Sequence, residues 1–172
     1  SRGGGGEEIY IGAVDGFVLR ARRWSGVASV MQLHDDTVSA MCTDGDLLGT
    51  AAFDNTACVW SMAGLAGGAG TKPGRVRLDS DSDSPLGAGA GGTPLCKVQH
   101  PGAVSCIAMC RSCLTVTLAT GCQDGKVRVY SLGVAAAATG ASPAWKASLQ
   151  RTVIQYDGPV RALCMIPGVI AS

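Results

Sequence analysis

Apolar and polar residues along this chain alternate in short runs with a period of two, and the runs are interrupted by Asp followed by Gly or Asn. In Lys126–Tyr130 the valines at 127 and 129 fall on one face and the cations at 126 and 128 on the other, the pattern of a half-buried strand. The same arrangement occurs three times: Ile9–Ala21 around Asp15, Leu48–Trp60 around Asp54, and Leu118–Tyr130 around Asp124. Each is a run of apolar or small residues, a turn dipeptide, and a second run. Asp-Gly and Asp-Asn tolerate positive φ, so each stretch predicts a tight β-hairpin.

A second unit recurs upstream of the hairpins. His34–Cys42 superposes on His100–Ala108, and Tyr156–Cys164 is a third copy. All three place a valine four residues after the lead residue (Val38, Val104, Val160) and an apolar residue seven after it (Met41, Ile107, Leu163). Each reads as a loop feeding an inner strand, so the repeating unit is loop, strand, strand, tight turn, strand.

This unit resembles the WD repeat, whose blade is a four-stranded antiparallel sheet of about 40 to 45 residues, with His in the loop leading into it and Trp-Asp closing the third strand. The resemblance implies an all-β fold, a partial β-propeller. It also implies a hydrogen-bonded structural tetrad in each complete blade. By alignment the positions are His34, Thr50, Asp54 and Trp60 in one blade and His100, Thr120, Asp124 and Tyr130 in the next. Several positions depart from the pattern. Leu33 and Gln99 stand where Gly is usual before His, Ser61 and Ser131 replace the final Asp, Tyr156 replaces the third His, and Ala21 sits where a first Trp would be. A small β-sandwich with coincidental Asp-Gly turns is the competing architecture, but two units repeating in the same order favour the propeller.

The register divides the chain into residues 1–30 as the end of a first blade, 31–98 and 99–155 as two blades, and 156–172 as the start of another. On that register Ser172 is a tetrad position, so the sequence is expected to stop inside a blade and to leave the propeller open and truncated there, and at its N-terminus as well. An inner strand over Val160–Met165 would then be an exposed edge. Two stretches interrupt the blades after their third strands. Residues 63–93 are rich in Gly and Ala and include alternating Asp and Ser over 79–84, and residues 133–142 carry an alanine run. The first is expected to be a flexible loop, being too poor in large apolar residues to offset the entropy of ordering. Ser80, with Asp83 three residues on, is a candidate for phosphorylation by an acid-directed kinase.

Charge and composition exclude more than they specify. The 172 residues carry 14 basic against 13 acidic side chains, a net +1, which favours neither nucleic acid nor a membrane surface. Eight cysteines could staple a small secreted domain, but Cys106, Cys110, Cys122 and Cys164 alternate with apolar residues and read as reduced core positions. Cys110 and Cys113 form one Cys-x-x-Cys pair without the second pair that structural zinc commonly needs. The Gly-rich runs 64–70 and 87–92 lack the Gly-Lys-Ser/Thr of a phosphate loop. Arg20, Arg22, Arg23 and Trp24 form a small basic and aromatic cluster, read as a solvated edge with contact to an acidic partner or RNA as its alternative.

Both histidines fall at tetrad positions. A buried His bridging Asp and Thr has the composition of a catalytic triad without an accessible nucleophile. The chain is therefore read as a non-catalytic protein-protein interaction scaffold with no cofactor. The resemblance implies protein or peptide partners on propeller faces, neither nucleic acid nor membrane, and an intracellular place in cytoplasm or nucleus. A specialised propeller, the substrate receptor of a ubiquitin ligase or an RNA-processing subunit, is the alternative.

Overall fold

In the computed structural model, which describes residues 8–22, 26–66, 89–90, 92–112, 115–135, 144–155, 157–166 and 169–171, the strands are organised around three tight turns. Asp15 and Gly16 both have positive φ, 58° and 77°, whereas at the later turns Asn55 (65°) and Gly125 (75°) carry it. These are residue types that take the left-handed region at little cost.

Strands β1 (Glu8–Gly12) and β2 (Phe17–Arg22) flank the first turn, and β3 (Gly26–Gln32) pairs with β2. A second sheet is built from β4 (Val38–Asp44), β5 (Leu47–Ala52) and β6 (Thr56–Ser61), followed by the short helix α1 (Met62–Ala66). The two-residue strand β7 (Gly89–Ala90) pairs parallel with β3, and β8 (Cys96–Gln99) completes the second sheet in the order β4-β5-β6-β8. The third sheet runs β9 (Val104–Arg111), β10 (Val116–Cys122), β11 (Lys126–Ala135) and β12 (Ala144–Gln155) in spatial sequence. A two-strand pair, β13 (Cys164–Ile166) with β14 (Val169–Ala171), follows. Within the second and third sheets every pairing is antiparallel between strands adjacent in this order.

The sheets stack face to face. Leu48, Cys58 and Trp60 pack with Val18 and Met31 of the first sheet, while Leu47 and Val59 pack with Ile107, Leu118 and Tyr130 of the third. Sheet two is thus covered on both faces, so β5 is buried at all six positions and shows no burial alternation. Close stacking explains the abundance of small residues. A Cβ at Gly12 of the first sheet would lie 2.8 Å from Val38 Cγ1 of the second, and one at Gly121 of the third would lie 2.7 Å from Val160 Cγ1 beyond it.

Successive sheets are also joined by polar contacts. The Ser39 hydroxyl lies 3.1 Å from the Ala51 carbonyl of its own sheet and 2.5 Å from the Val104 carbonyl of the next. Ser105 repeats this one sheet on, facing the carbonyls of Gly121 and Val160. The turns contribute as well: the Gly16 carbonyl accepts from the amides of Leu33 and His34, and the Asn55 carbonyl from the amide of His100. Gly16 and Asn55 therefore each hold the loop that leads into the following sheet, while at the third turn the Cys122 carbonyl accepts from the Val160 amide instead.

Several sequence expectations require correction. The stretch 63–93 does not begin as a loop: α1 turns Leu65 back into the core beside Trp60, and residues 89–90 extend the first sheet. The second insertion starts later than expected, because β11 continues through Ala135 against Ala144–Lys146. No strand spans Val160–Met165. Val160 is instead anchored by its amide to the Cys122 carbonyl and packs on Cys106 and Val127, and pairing begins at Cys164. Cys164 itself is exposed, unlike Cys106 and Cys122, and Cys110 is half-buried. Arg20 is not on a solvated edge, for it is 7% exposed and ion-paired with Glu8. The side chain of Arg22, together with Arg23, Trp24, Ser80, Cys113, Tyr156 and Ser172, lies outside the described residues.

Candidate functional site: the histidine networks between blades

His34 enters the interior on the loop held by Gly16, and four side chains converge on it. Trp60 Nε1 lies 2.8 Å from Thr50 Oγ1, which lies 2.6 Å from His34 Nε2; on the far side of the ring, Nδ1 is 2.9 Å from Asp54 Oδ2. The indole N–H can only donate, so the Thr50 oxygen accepts from it and turns its own proton toward Nε2. That leaves Nε2 as acceptor and Nδ1–H as donor to the Asp54 carboxylate. The ring is neutral, and the chain of donors runs in one direction from Trp60 to Asp54.

Asp54 is held from three further sides. The Thr56 amide and hydroxyl donate to Oδ1 at 2.9 and 2.7 Å, and the Asp35 amide donates to Oδ2 at 3.1 Å. Burial pushes the carboxyl up, but hydrogen bonds from Thr56, Asp35 and His34 outweigh it and hold it below its ordinary range. Burial lowers the imidazole more than Asp54 raises it. Thr56 also lies 3.1 Å from His34 Nδ1, a fifth participant that the repeat alignment did not single out.

The equivalent site in the third sheet is assembled from the expected residues but bonded differently. His100 is 4% exposed and packs edge-on against Tyr130, ring centroids 6.0 Å apart at 89°, much as His34 meets Trp60 at 6.4 Å and 78°. Yet neither ring nitrogen of His100 has a hydrogen-bond partner among the described residues. Asp124 still caps its turn, accepting from the Lys126 amide at 3.1 Å, but its carboxylate faces Arg128 through two contacts, at 3.2 and 2.5 Å. Thr120 has a 3.5 Å hydrogen bond to the Arg128 carbonyl. The expectation that both Asp residues bond the His of their own blade is therefore corrected for Asp124.

Two substitutions separate the sites: Lys126 stands where Thr56 holds Asp54 and His34, and Arg128 supplies Asp124 with a new partner. Arg128 sits cross-strand from Thr120, at the place Cys58 occupies opposite Thr50. Cysteine offers Asp54 no cation, whereas a guanidinium forks onto a carboxylate four residues away. The electrostatics follow: the Arg128 hydrogen bond brings Asp124 down to about 2, while burial and then the Arg128 charge bring His100 down to about 4.

Neither network offers a nucleophile to solvent. Thr50 and Thr120 are 0% exposed, and burial raises the Cys42 thiol to about 12 and the Cys58 thiol to about 11. Among the described residues no group of three or more His, Cys, Asp or Glu is placed to hold a metal ion, and no helix is long and apolar enough to cross a membrane.

Two segments, residues 27–61 and 92–131, match the family model described as WD domain, G-beta repeat. Each begins at a strand of one sheet (β3, or the edge strand β8) and runs to the third strand of the next (β6 or β11), so the repeat is staggered against the sheet. Among solved structures the chain is similar to the computationally designed Ika4 protein, with TM-score 0.63 and 18% identity, covering 95% of this chain and 76% of that one. It is also similar to U3-55K and to the RRP9 WD40 repeats, each with TM-score 0.60, 18% identity and 91% of this chain covered. The chain spans 38% of the length of each of these two structures. No curated protein matches it. The chain thus carries two segments that match the WD repeat, and its four-stranded antiparallel sheets have the fold of blades of a partial β-propeller.

Proposed function

We propose that the chain is a non-catalytic interaction scaffold, and that the His34 and His100 sites are structural tetrads, in blades 31–98 and 99–155, that position its surface. The observation carrying this reading is the His34 network. Its titratable and hydroxyl groups are consumed in a closed run of internal bonds, and that run fixes the loop 33–37 against the turn at Asp54 through the Asp35 amide. A satisfied buried network of this kind contributes rigidity.

What the network holds in place is a rim. The loops leading into the blades and the turns between their second and third strands lie at one end of the sheets, joined by the bonds from Gly16, Asn55 and Thr37. Asp35, Asp36, Phe53, Pro101, Gln123 and Asp157 are exposed there. Phe53, at 42% exposure, supplies an aromatic anchor beside acidic neighbours, a composition suited to a protein partner with apolar and basic groups.

The test is affinity capture with the folded chain, comparing the native protein with Phe53→Ser and with Asp35→Lys/Asp36→Lys. Retention of a defined partner that both surface variants lose supports the scaffold reading. A turnover activity abolished by His34→Gln in a protein that stays folded would replace it with an enzymatic one.

A further inference from the structure

The chain contains the same four-position site twice, in two bonding states: in the second, Lys126 replaces Thr56 and Arg128 is the side chain that holds the carboxylate. In blade two the carboxylate is on the histidine; in blade three it is on the arginine, with the buried imbalance left at His100. An imidazole with both nitrogens buried and unbonded forfeits the hydrogen bonds it would make in water. An aspartate deprived of Arg128 would be a poorly compensated charge unless it found another donor. His100 is that donor: its ring is framed by Tyr130 as His34 is by Trp60, and blade two shows that this backbone geometry brings the two side chains to 2.9 Å. Arg128 and Asp124 are not sealed in, with side chains 13% and 23% exposed, so the guanidinium is reachable from solvent while the histidine is not.

We propose that Arg128 is an oxyanion-responsive gate on the blade-three network: paired with Asp124 it leaves His100 unlatched, and a carboxylate or phosphate of a bound protein partner that takes the guanidinium returns Asp124 to His100. Occupying the site then tightens the blade, and by reciprocity a tightened blade holds the anion better. The inference rests on the scaffold reading for the source of the anion. Its test uses no partner, so the two can fail separately.

The protein has two histidines, which makes imidazole resonances of the full chain directly interpretable. With histidine-selective 15N labelling, His34 provides an internal reference for a protected, downfield N–H donated to a carboxylate. Native protein is expected to show that signal for His34 alone. Arg128→Met, which keeps length without charge, and Arg128→Ala are each expected to add a second one, lost again in Arg128→Met/Asp124→Asn. Adding inorganic phosphate or acetate to the native protein is expected to raise the second signal, the more effective ion telling phosphate from carboxylate, with no effect in Arg128→Met. Failure of both folded Arg128 variants to show a second signal overturns the proposal. So does its appearance in the variants with no response of the native protein to either anion, or an equal response to sodium chloride at matched ionic strength.

Discussion

The Ser39 hydroxyl reaches the Val104 carbonyl across the gap between two blades at a distance of 2.5 Å. Because the same hydroxyl also faces the Ala51 carbonyl of its own blade, one short side chain ties a second strand to the inner strand of its neighbour. Ser105 repeats the tie to Gly121 and Val160. Cohesion between blades thus combines apolar stacking with a polar contact that recurs with the sequence repeat.

Replacing Ser39 or Ser105 with Ala is accordingly expected to lower stability by about 1 kcal/mol each, the usual net loss for one intramolecular hydrogen bond. The two sites are in different blade junctions, so their effects should add. Urea denaturation of both single variants and the double variant measures this. Unchanged midpoints would show that the ties contribute nothing.

The two threonines of the networks should behave very differently. Thr50→Val strands both the Trp60 indole N–H and His34 Nε2 in a dry interior, a loss of about 2 to 4 kcal/mol. Thr120→Val gives up a long 3.5 Å bond and should cost well under half as much. Equal losses in thermal melts would contradict the asymmetry between the blades.

Acid should weaken the fold in two stages. His100 in the folded protein titrates at about 4, against an ordinary 6.5, so between those values the unfolded chain binds more protons and stability falls as pH falls. His34, also lowered by burial, adds in the same direction. Asp124, brought down to about 2 by Arg128, adds a further loss as pH drops below its ordinary 3.8. The measurement is unfolding free energy from pH 7.5 to 4 for the native chain and His100→Gln. The variant should show a shallower slope, and identical slopes would remove His100 from the account.

Gly121 cannot accept a side chain cheaply, because the neighbours within 3 Å of its Cβ position are Cys106 and Val160 packed in a core. Gly121→Ala is expected to destabilise by roughly 1 to 3 kcal/mol, as overpacking does. Gly133→Ala, with nothing within 4 Å, serves as the control. A melting temperature unaltered by Gly121→Ala would mean that the blades can separate without cost.

Thiol chemistry offers an independent reading of burial. Cys164 is exposed, whereas Cys58 is buried with its thiol raised to about 11, so alkylation of the native chain should modify Cys164 well before Cys58. Peptide mapping over a time course decides it. Simultaneous modification would show that the second blade opens as readily as the chain beyond the third.

Much of this architecture was legible in local signals. The turns at Asp15, Asp54 and Asp124 and the strands flanking them follow from residues whose spacing repeats, since turn chemistry and strand period act over a few neighbours; the convergence of His34, Thr50, Asp54 and Trp60 was implied only by the resemblance to the WD repeat. Ser39 and Ser105 each follow a repeated valine, but pattern alone does not say that a serine there reaches another blade. What tertiary structure decided is where near-equivalent partners compete. Asp124 goes to Arg128 and not to His100, Arg20 turns inward to Glu8, Leu65 folds back onto Trp60, and Val160 docks on Cys122 before any strand begins. Each outcome is a contest between a local tendency and a partner supplied from elsewhere, settled by distances between side chains that only packing brings together.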